Sequence, residues 1–141
     1  MFIRVIDNEP SQVVIEKVTK IFTIGLKLLA VEYLFGDSIK DVLNEGKKFS
    51  NDFLQFGESD MSSLENFCNR ATQKIKSIST ENIDSRKKKL FELIYSSNGS
   101  MHVKELSEQV FWSSRQINRY FNQQFGISLK AYLKFLRLGA S

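Results

Sequence analysis

From Ser113 to Gln124 the chain has no acidic residue, and its side chains divide into two chemically opposite stripes at helical spacing. Ile117, Tyr120, Phe121 and Phe125 recur at the interval that buries one face of a helix. Arg115, Asn118, Arg119 and Asn122 fall at i, i+3, i+4 and i+7 on another stripe. The four residues in front, Ser113-Ser-Arg-Gln116, form a capping box: the Ser113 hydroxyl accepts from the Gln116 backbone N–H and the Gln116 side chain returns to the Ser113 N–H. A helix therefore begins at Ser114. Its outer stripe holds the donor-rich types that read base edges, Arg for O6 and N7 of guanine and Asn for adenine. A solvated helix of this length mixes carboxylates with its cations, so the acid-free surface suits a phosphate-lined groove.

Charge is spread unevenly along the chain. Residues 1–82 carry 10 basic and 12 acidic groups, whereas residues 83–141 carry 10 basic and 4 acidic, a net of +6. The C-terminal part can meet a polyanion and the N-terminal part cannot, which is the electrostatic footprint of a nucleic-acid module joined to something else.

Other chemistries find little support in the residues. Cys68 is the one cysteine and cannot form an internal disulfide; His102 is the one histidine and has no partner at metal-ligand spacing, so a structural zinc is excluded. A triad would have to be built on His102, and Cys68 falls on the apolar side of a helical pattern, where a small buried hydrophobe is expected. The seven glycines are scattered, without the spacing of a phosphate-binding loop. No enzyme, catalytic group, metal or cofactor is expected. No apolar run approaches the ~20 residues that cross a bilayer, and Met1-Phe-Ile-Arg-Val-Ile-Asp7 lacks the pattern of a secretory signal, so no membrane partner is expected and the location is expected to be cytoplasmic.

Periodicity predicts a mainly α chain: a helical bundle with a C-terminal helix-turn-helix and a small β element near the N-terminus. Phe22–Leu28 alternates like a half-buried strand, and Phe2–Ile6 and Val13–Ile15 are β-branched enough to be strands, with Asp7–Pro10 as the turn; a helix from Pro10 to Ile24 is the competing reading. Helices follow at Ala30–Phe35, Asp37–Glu45 and Lys47–Phe56, stopped by Gly36, Gly46 and Gly57. Ser59 or Asp60 opens a longer one with Leu64, Phe67, Cys68, Ala71, Ile75 and Ile78 on its apolar side. The polar Ser79-Thr-Glu-Asn82 coincides with the change of charge sign and reads as the linker, separating a region 1–78 from a region 83–141. The second region starts with a helix at 83–95, with Ile83, Leu90, Phe91 and Ile94 inward and Arg86–Lys89 largely outward, followed by a short helix Val103–Val110 with Val103, Leu106 and Val110 on one side.

A short helix, a tight connection and a capped helix with a base-reading face are helix-turn-helix organisation. Residues 99–138 resemble the first half of the DNA-binding domain of AraC-family transcriptional regulators. The family pattern is met by Leu106-Ser107, Ser113, Ile117-Asn-Arg119-Tyr-Phe121, Gly126-Ile-Ser128, Tyr132 and Arg137-Leu138. The resemblance implies Arg115, Asn118, Arg119 and Asn122 as base-contacting residues and Ser114, Gln116, His102, Lys130 and Lys134 as phosphate contacts. Trp112 and Tyr132 sit at family core positions. Two departures stand out. Phe111 occupies the turn position where the family usually has Gly, so the turn is expected to change geometry or to lean on Trp112. The family carries two such units joined by a long helix, and Ser141 lies early in that helix, which implies one reading head in a fragment or truncated member. The N-terminal part resembles, in general shape, the end of a sensor half and its linker, too short to close a ligand pocket. The implied partner is double-stranded DNA, with a homodimer or a partner regulator also compatible. The alternative is a helical protein-interaction module that pairs with other proteins without binding DNA. Single-stranded RNA binding would need an exposed aromatic sheet or a GxxG loop, and neither is present.

Overall fold

The computed structural model describes residues 2–3, 17, 21–36, 38–40, 47–48, 55–78 and 81–139. It is mainly helical: a two-residue pairing of β1 (Phe2–Ile3) with β2 (Lys47–Lys48), then α1 (Leu28–Phe35), α2 (Leu64–Lys76), α3 (Ser85–Ser96), α4 (Val103–Val110), α5 (Ser114–Phe125) and α6 (Leu129–Gly139). Among the described residues no helix is long and apolar enough to cross a membrane. The chain forms two compact units, residues 1–26 with 42–79 and residues 27–41 with 80–141.

In the first unit β1 and β2 run antiparallel, Phe2 opposite Lys48 and Ile3 opposite Lys47. The helix expected over Lys47–Phe56 is therefore replaced by a strand at its start, and 49–54 lie outside the described residues. A single 3-10 turn, Glu58–Met61, precedes α2, whose N-cap is Ser63 rather than Ser59 or Asp60; the Ser63 hydroxyl accepts from Asn66 N–H at 3.1 Å. The covered face of α2 is rotated from the expected one. Phe67 and Ala71 are buried, with the Phe67 ring 5.0 Å from Phe22 and 5.2 Å from Phe56. Leu64, Ile75 and Cys68 are exposed, so Cys68 is not a buried hydrophobe. On the same edge, Arg70 donates to the Gln55 carbonyl at 2.8 and 3.2 Å and Lys74 to Gln55 Oε1 at 2.8 Å.

The second unit holds α1 and α3–α6. Residues 21–27 have no regular structure and Leu28 opens α1, so the strand expected at Phe22–Leu28 does not form; no described strand lies beside it, and Leu28 and Val31 start a helical burial pattern instead. Gly36 ends α1 in the left-handed conformation at φ 70°. Ser38 and Ile39, expected inside a helix Asp37–Glu45, carry no regular structure: Ile39 N–H donates to the Gln124 carbonyl at 2.9 Å and the Ser38 hydroxyl to that of Gln123 at 2.6 Å, tying the segment to the end of α5. Asp37 and residues 41–45 of that predicted helix, Val13–Ile15, most of Phe2–Ile6 and most of the competing Pro10–Ile24 helix lie outside the described residues. Residues 27–41, grouped with the N-terminal region from sequence, thus pack with the C-terminal unit.

Leu90, Phe91, Ile94, Leu106, Val110, Ile117, Phe121, Phe125 and Leu129 form the core, each 2% exposed or less. Phe91, Phe121 and Phe125 meet in pairs with ring centroids 5.3–6.1 Å apart, two of the pairs edge-to-face, a geometry that adds to plain area burial. Glu32 of α1 accepts from Lys87 Nζ of α3 and from the Tyr120 hydroxyl of α5, joining three helices at one carboxylate. Burial, and then the bond to Glu32, push the Tyr120 hydroxyl far above the usual tyrosine range, so it stays a donor. Lys87, expected to face outward with the rest of Arg86–Lys89, is turned inward by this pair.

Candidate nucleic-acid interface

α4 starts at His102, which is exposed and whose backbone N–H donates to Glu105 Oε2 at 2.7 Å. It ends at Phe111, where φ is 55° and ψ is 36°, with the Phe111 N–H bonded to the Ser107 carbonyl. The turn has the left-handed geometry that a glycine would supply, now carried by a phenylalanine that is 88% exposed. Trp112 does anchor the connection: its ring lies 5.7 Å from Tyr120 and beneath the Arg86 guanidinium at 4.8 Å. A Cβ in this conformation costs ~1–2 kcal/mol, and a glycine gives back ~0.5–1 kcal/mol of that gain through its larger unfolded-state entropy. Phe111→Gly is therefore expected to stabilise the unit by about 0.5–1 kcal/mol in urea unfolding; a loss would mean that the exposed ring makes stabilising contacts.

Three residues separate α4 from α5, and the capping box forms as the sequence implies: Ser113 N–H to Gln116 Oε1 at 2.8 Å and Gln116 N–H to Ser113 Oγ at 3.2 Å. α5 then runs from Ser114 to Phe125, and Gly126 closes it at φ 72°. Ile117, Phe121 and Phe125 are completely buried and Tyr120 partly so. With that stripe fixed inward, helix geometry turns the other stripe out. Arg115, Arg119 and Asn122 are exposed and Asn118 is half-exposed at the flank. The two asparagines back-bond, Asn118 Nδ2 to the Ser114 carbonyl at 3.0 Å and Asn122 Nδ2 to that of Asn118 at 2.9 Å, which orders the row while leaving their amide oxygens open.

The phosphate candidates are distributed over three helices. Ser114 is half-buried in the first turn of α5; Gln116 is exposed but spends Oε1 on the cap, so only its amide N–H groups remain for an anion. His102 stands at the start of α4, and Lys130 and Lys134 are exposed on α6. Among the described residues no carboxylate forms an ion pair with Arg115, Arg119, Lys130 or Lys134. α6 is fixed against the core by Leu129, Tyr132 and Leu133, and the Tyr132 hydroxyl lies 3.0 Å from that of Tyr95.

One residue that sequence reasoning passed over stands beside this surface. Arg86, read there as part of a solvated run, is fixed between Trp112 and the Asp84 carboxylate, which it meets at 3.1 Å. A guanidinium beside Asp84 holds that carboxyl below its usual range. The sequence signal was a tryptophan next to a capping serine and an arginine after an N-cap aspartate. Neither is informative until the fold brings them together.

Comparison with protein-family models, with curated proteins and with solved structures finds no match.

Proposed function

We propose that residues 83–139 form a helix-turn-helix reader of the AraC type, and that the chain binds double-stranded DNA sequence-specifically as a transcription regulator with α5 in the major groove. The observation that carries this reading is the division of α5: its apolar stripe is sealed in the core while Arg115, Arg119 and Asn122 stand exposed with no carboxylate paired to them among the described residues. Such a helix offers forked donors to base edges from a rigid base. The three-residue connection and its left-handed first position support the same assignment. His102, Ser114, Gln116, Lys130 and Lys134 then hold the sugar–phosphate backbone, which positions the helix without selecting sequence.

One such head buries on the order of 600–1,000 Å², so it binds weakly by itself and with a steep salt dependence. The test is a selection from random duplexes followed by titration of the preferred site. Arg119→Ala is expected to lower affinity and to relax preference at one base position by ~1–3 kcal/mol, while Lys130→Ala weakens all duplexes alike. Equal loss on preferred and random duplexes for Arg119→Ala would overturn base reading.

A second reading is favoured by exposed apolar side chains: Phe111 at 88%, Leu138 at 67% and Phe135 at 48%. On that reading the unit is a protein-interaction module that pairs with a second copy or with a partner regulator. Failure to bind random duplex at micromolar protein in ~50 mM salt, where a cationic reader associates nonspecifically, would select it.

A further inference from the structure

We propose that Arg86, together with Lys89 on the same edge of α3, grips a backbone phosphate of the DNA beside the start of α5; this rests on the DNA-binding reading and adds a contact to it. The placement follows from Trp112. That ring immediately precedes the α5 N-cap, lies 5.7 Å from Tyr120 on the inner flank of α5, and carries the Arg86 guanidinium 4.8 Å above it. Gln116 lies between this flank and Arg119 on the helix surface, one turn from each. A helix ~10–12 Å across fills a major groove ~12 Å wide, so a phosphate backbone runs along each of its flanks. Arg86 stands where one of those walls passes.

Its chemistry fits the task. The side chain is 51% exposed. Of the five N–H donors of an arginine, Nε and one on Nη2 go to Asp84, at 3.4 and 3.1 Å. The Nη1 pair and the remaining Nη2 hydrogen have no partner among the described residues, which leaves three of the five donors for an anion while the carboxylate and the indole fix their direction. Lys89, three residues further along the helix, is exposed and has no described partner. Lys87 is excluded from the role because Glu32 holds it. Helix stability does not account for the run either: four cations at 86–89 and no acid in the first turn oppose the positive end of the helix.

The experiment is fluorescence anisotropy with a labelled 20-base-pair duplex of random sequence, titrated from about 50 to 200 mM salt. Arg86→Gln and Lys89→Gln are each expected to lower the slope of log K against log salt by about one and to weaken binding severalfold, equally on preferred and random duplexes. Asp84→Asn keeps the helix cap but removes the competing charge, so it tightens binding, and by more in the wild-type background than in Arg86→Gln, a coupling that a purely structural Arg86 would not produce. If Arg86→Gln fails to fold, Lys89→Gln and Asp84→Asn still decide the matter. Wild-type binding with unchanged slopes in all three variants would overturn the phosphate grip and leave the DNA reading standing. Loss of poly-glutamate binding in Arg86→Gln, with duplex binding intact, would overturn it in favour of an acidic protein partner. No wild-type binding to any duplex would overturn both.

Discussion

Gly99→Ala is expected to destabilise the C-terminal unit by about 2–4 kcal/mol, seen as a lower urea midpoint at unchanged slope. Gly99 closes the turn after α3 at φ 73°, with its N–H on the Ile94 carbonyl at 2.9 Å, and it is buried under α6. A methyl group there would lie 2.7 Å from the Leu133 carbonyl oxygen and 3.1 Å from Leu136 Cβ. Both costs apply together: a left-handed alanine, at ~1–2 kcal/mol, and a contact with backbone that cannot swing aside. The strain can be relieved only by lifting α6, which would also stretch the 2.6 Å bond from Arg137 Nη1 to the Gly99 carbonyl and loosen Leu133 in the core. Ser100→Ala, one residue on at an exposed position, is the control and should stay within ~0.5 kcal/mol of wild type. An unchanged midpoint for Gly99→Ala would mean that α6 does not dock against this turn. If the unit binds DNA as proposed, with Lys130 and Lys134 of α6 on phosphates, the variant should also weaken duplex binding without altering base preference.

The legible and illegible parts of the fold divide by the range of the interaction that decides them. Val103–Val110 could be bounded from sequence because Leu106 and Val110 repeat at helical spacing, and Ser114 could be named as the start of α5 because the capping box lies within four residues. Gly36 and Gly126 stop their helices for an equally local reason. Phe22–Leu28 misled because alternation predicts a strand only if a neighbour pairs with it, and nothing in the segment reports whether one does. Cys68 misled because helical spacing puts it on the apolar side, yet the packed face of α2 centres on Phe67 and Ala71, and the rings that meet Phe67, those of Phe22 and Phe56, lie across sequence gaps that periodicity within the helix does not report. The outer row of α5 was visible as a pattern, yet its exposure depended on which face the Phe91–Phe121–Phe125 cluster claimed. Least legible of all was the docking of α1. Its decisive contacts, Glu32 to Lys87 and Glu32 to Tyr120, span 55 and 88 residues and leave no periodic trace.

That carboxylate is the second place where a single change should be costly. Glu32→Gln is expected to lose about 2 kcal/mol of stability, because it leaves the ammonium of Lys87, only 21% exposed, without a counter-charge. Other groups hold the lysine in place: its Nζ lies 4.7 Å from the Tyr120 ring and 5.8 Å from that of Tyr33, and these faces attract a cation without neutralising it. Tyr120→Phe should cost less, since the carboxylate keeps its lysine and only one hydrogen bond is lost. The informative variant is the double one. Lys87→Met with Glu32→Gln removes both charges and keeps the volume, so it should recover most of the stability lost by Glu32→Gln alone, giving a coupling of about 1–3 kcal/mol in a double-mutant cycle. Simple additivity of the two losses would show that the ion pair does not fasten α1 to α3. The same cycle bears on the proposed DNA reading, because α1 meets α5 through Tyr120, about 100° round the helix from Arg119. If α1 acts only as a brace, the double variant should read DNA with wild-type preference once stability is restored; a preference that shifts while stability is intact would mean that the position of α1 sets how α5 meets the groove.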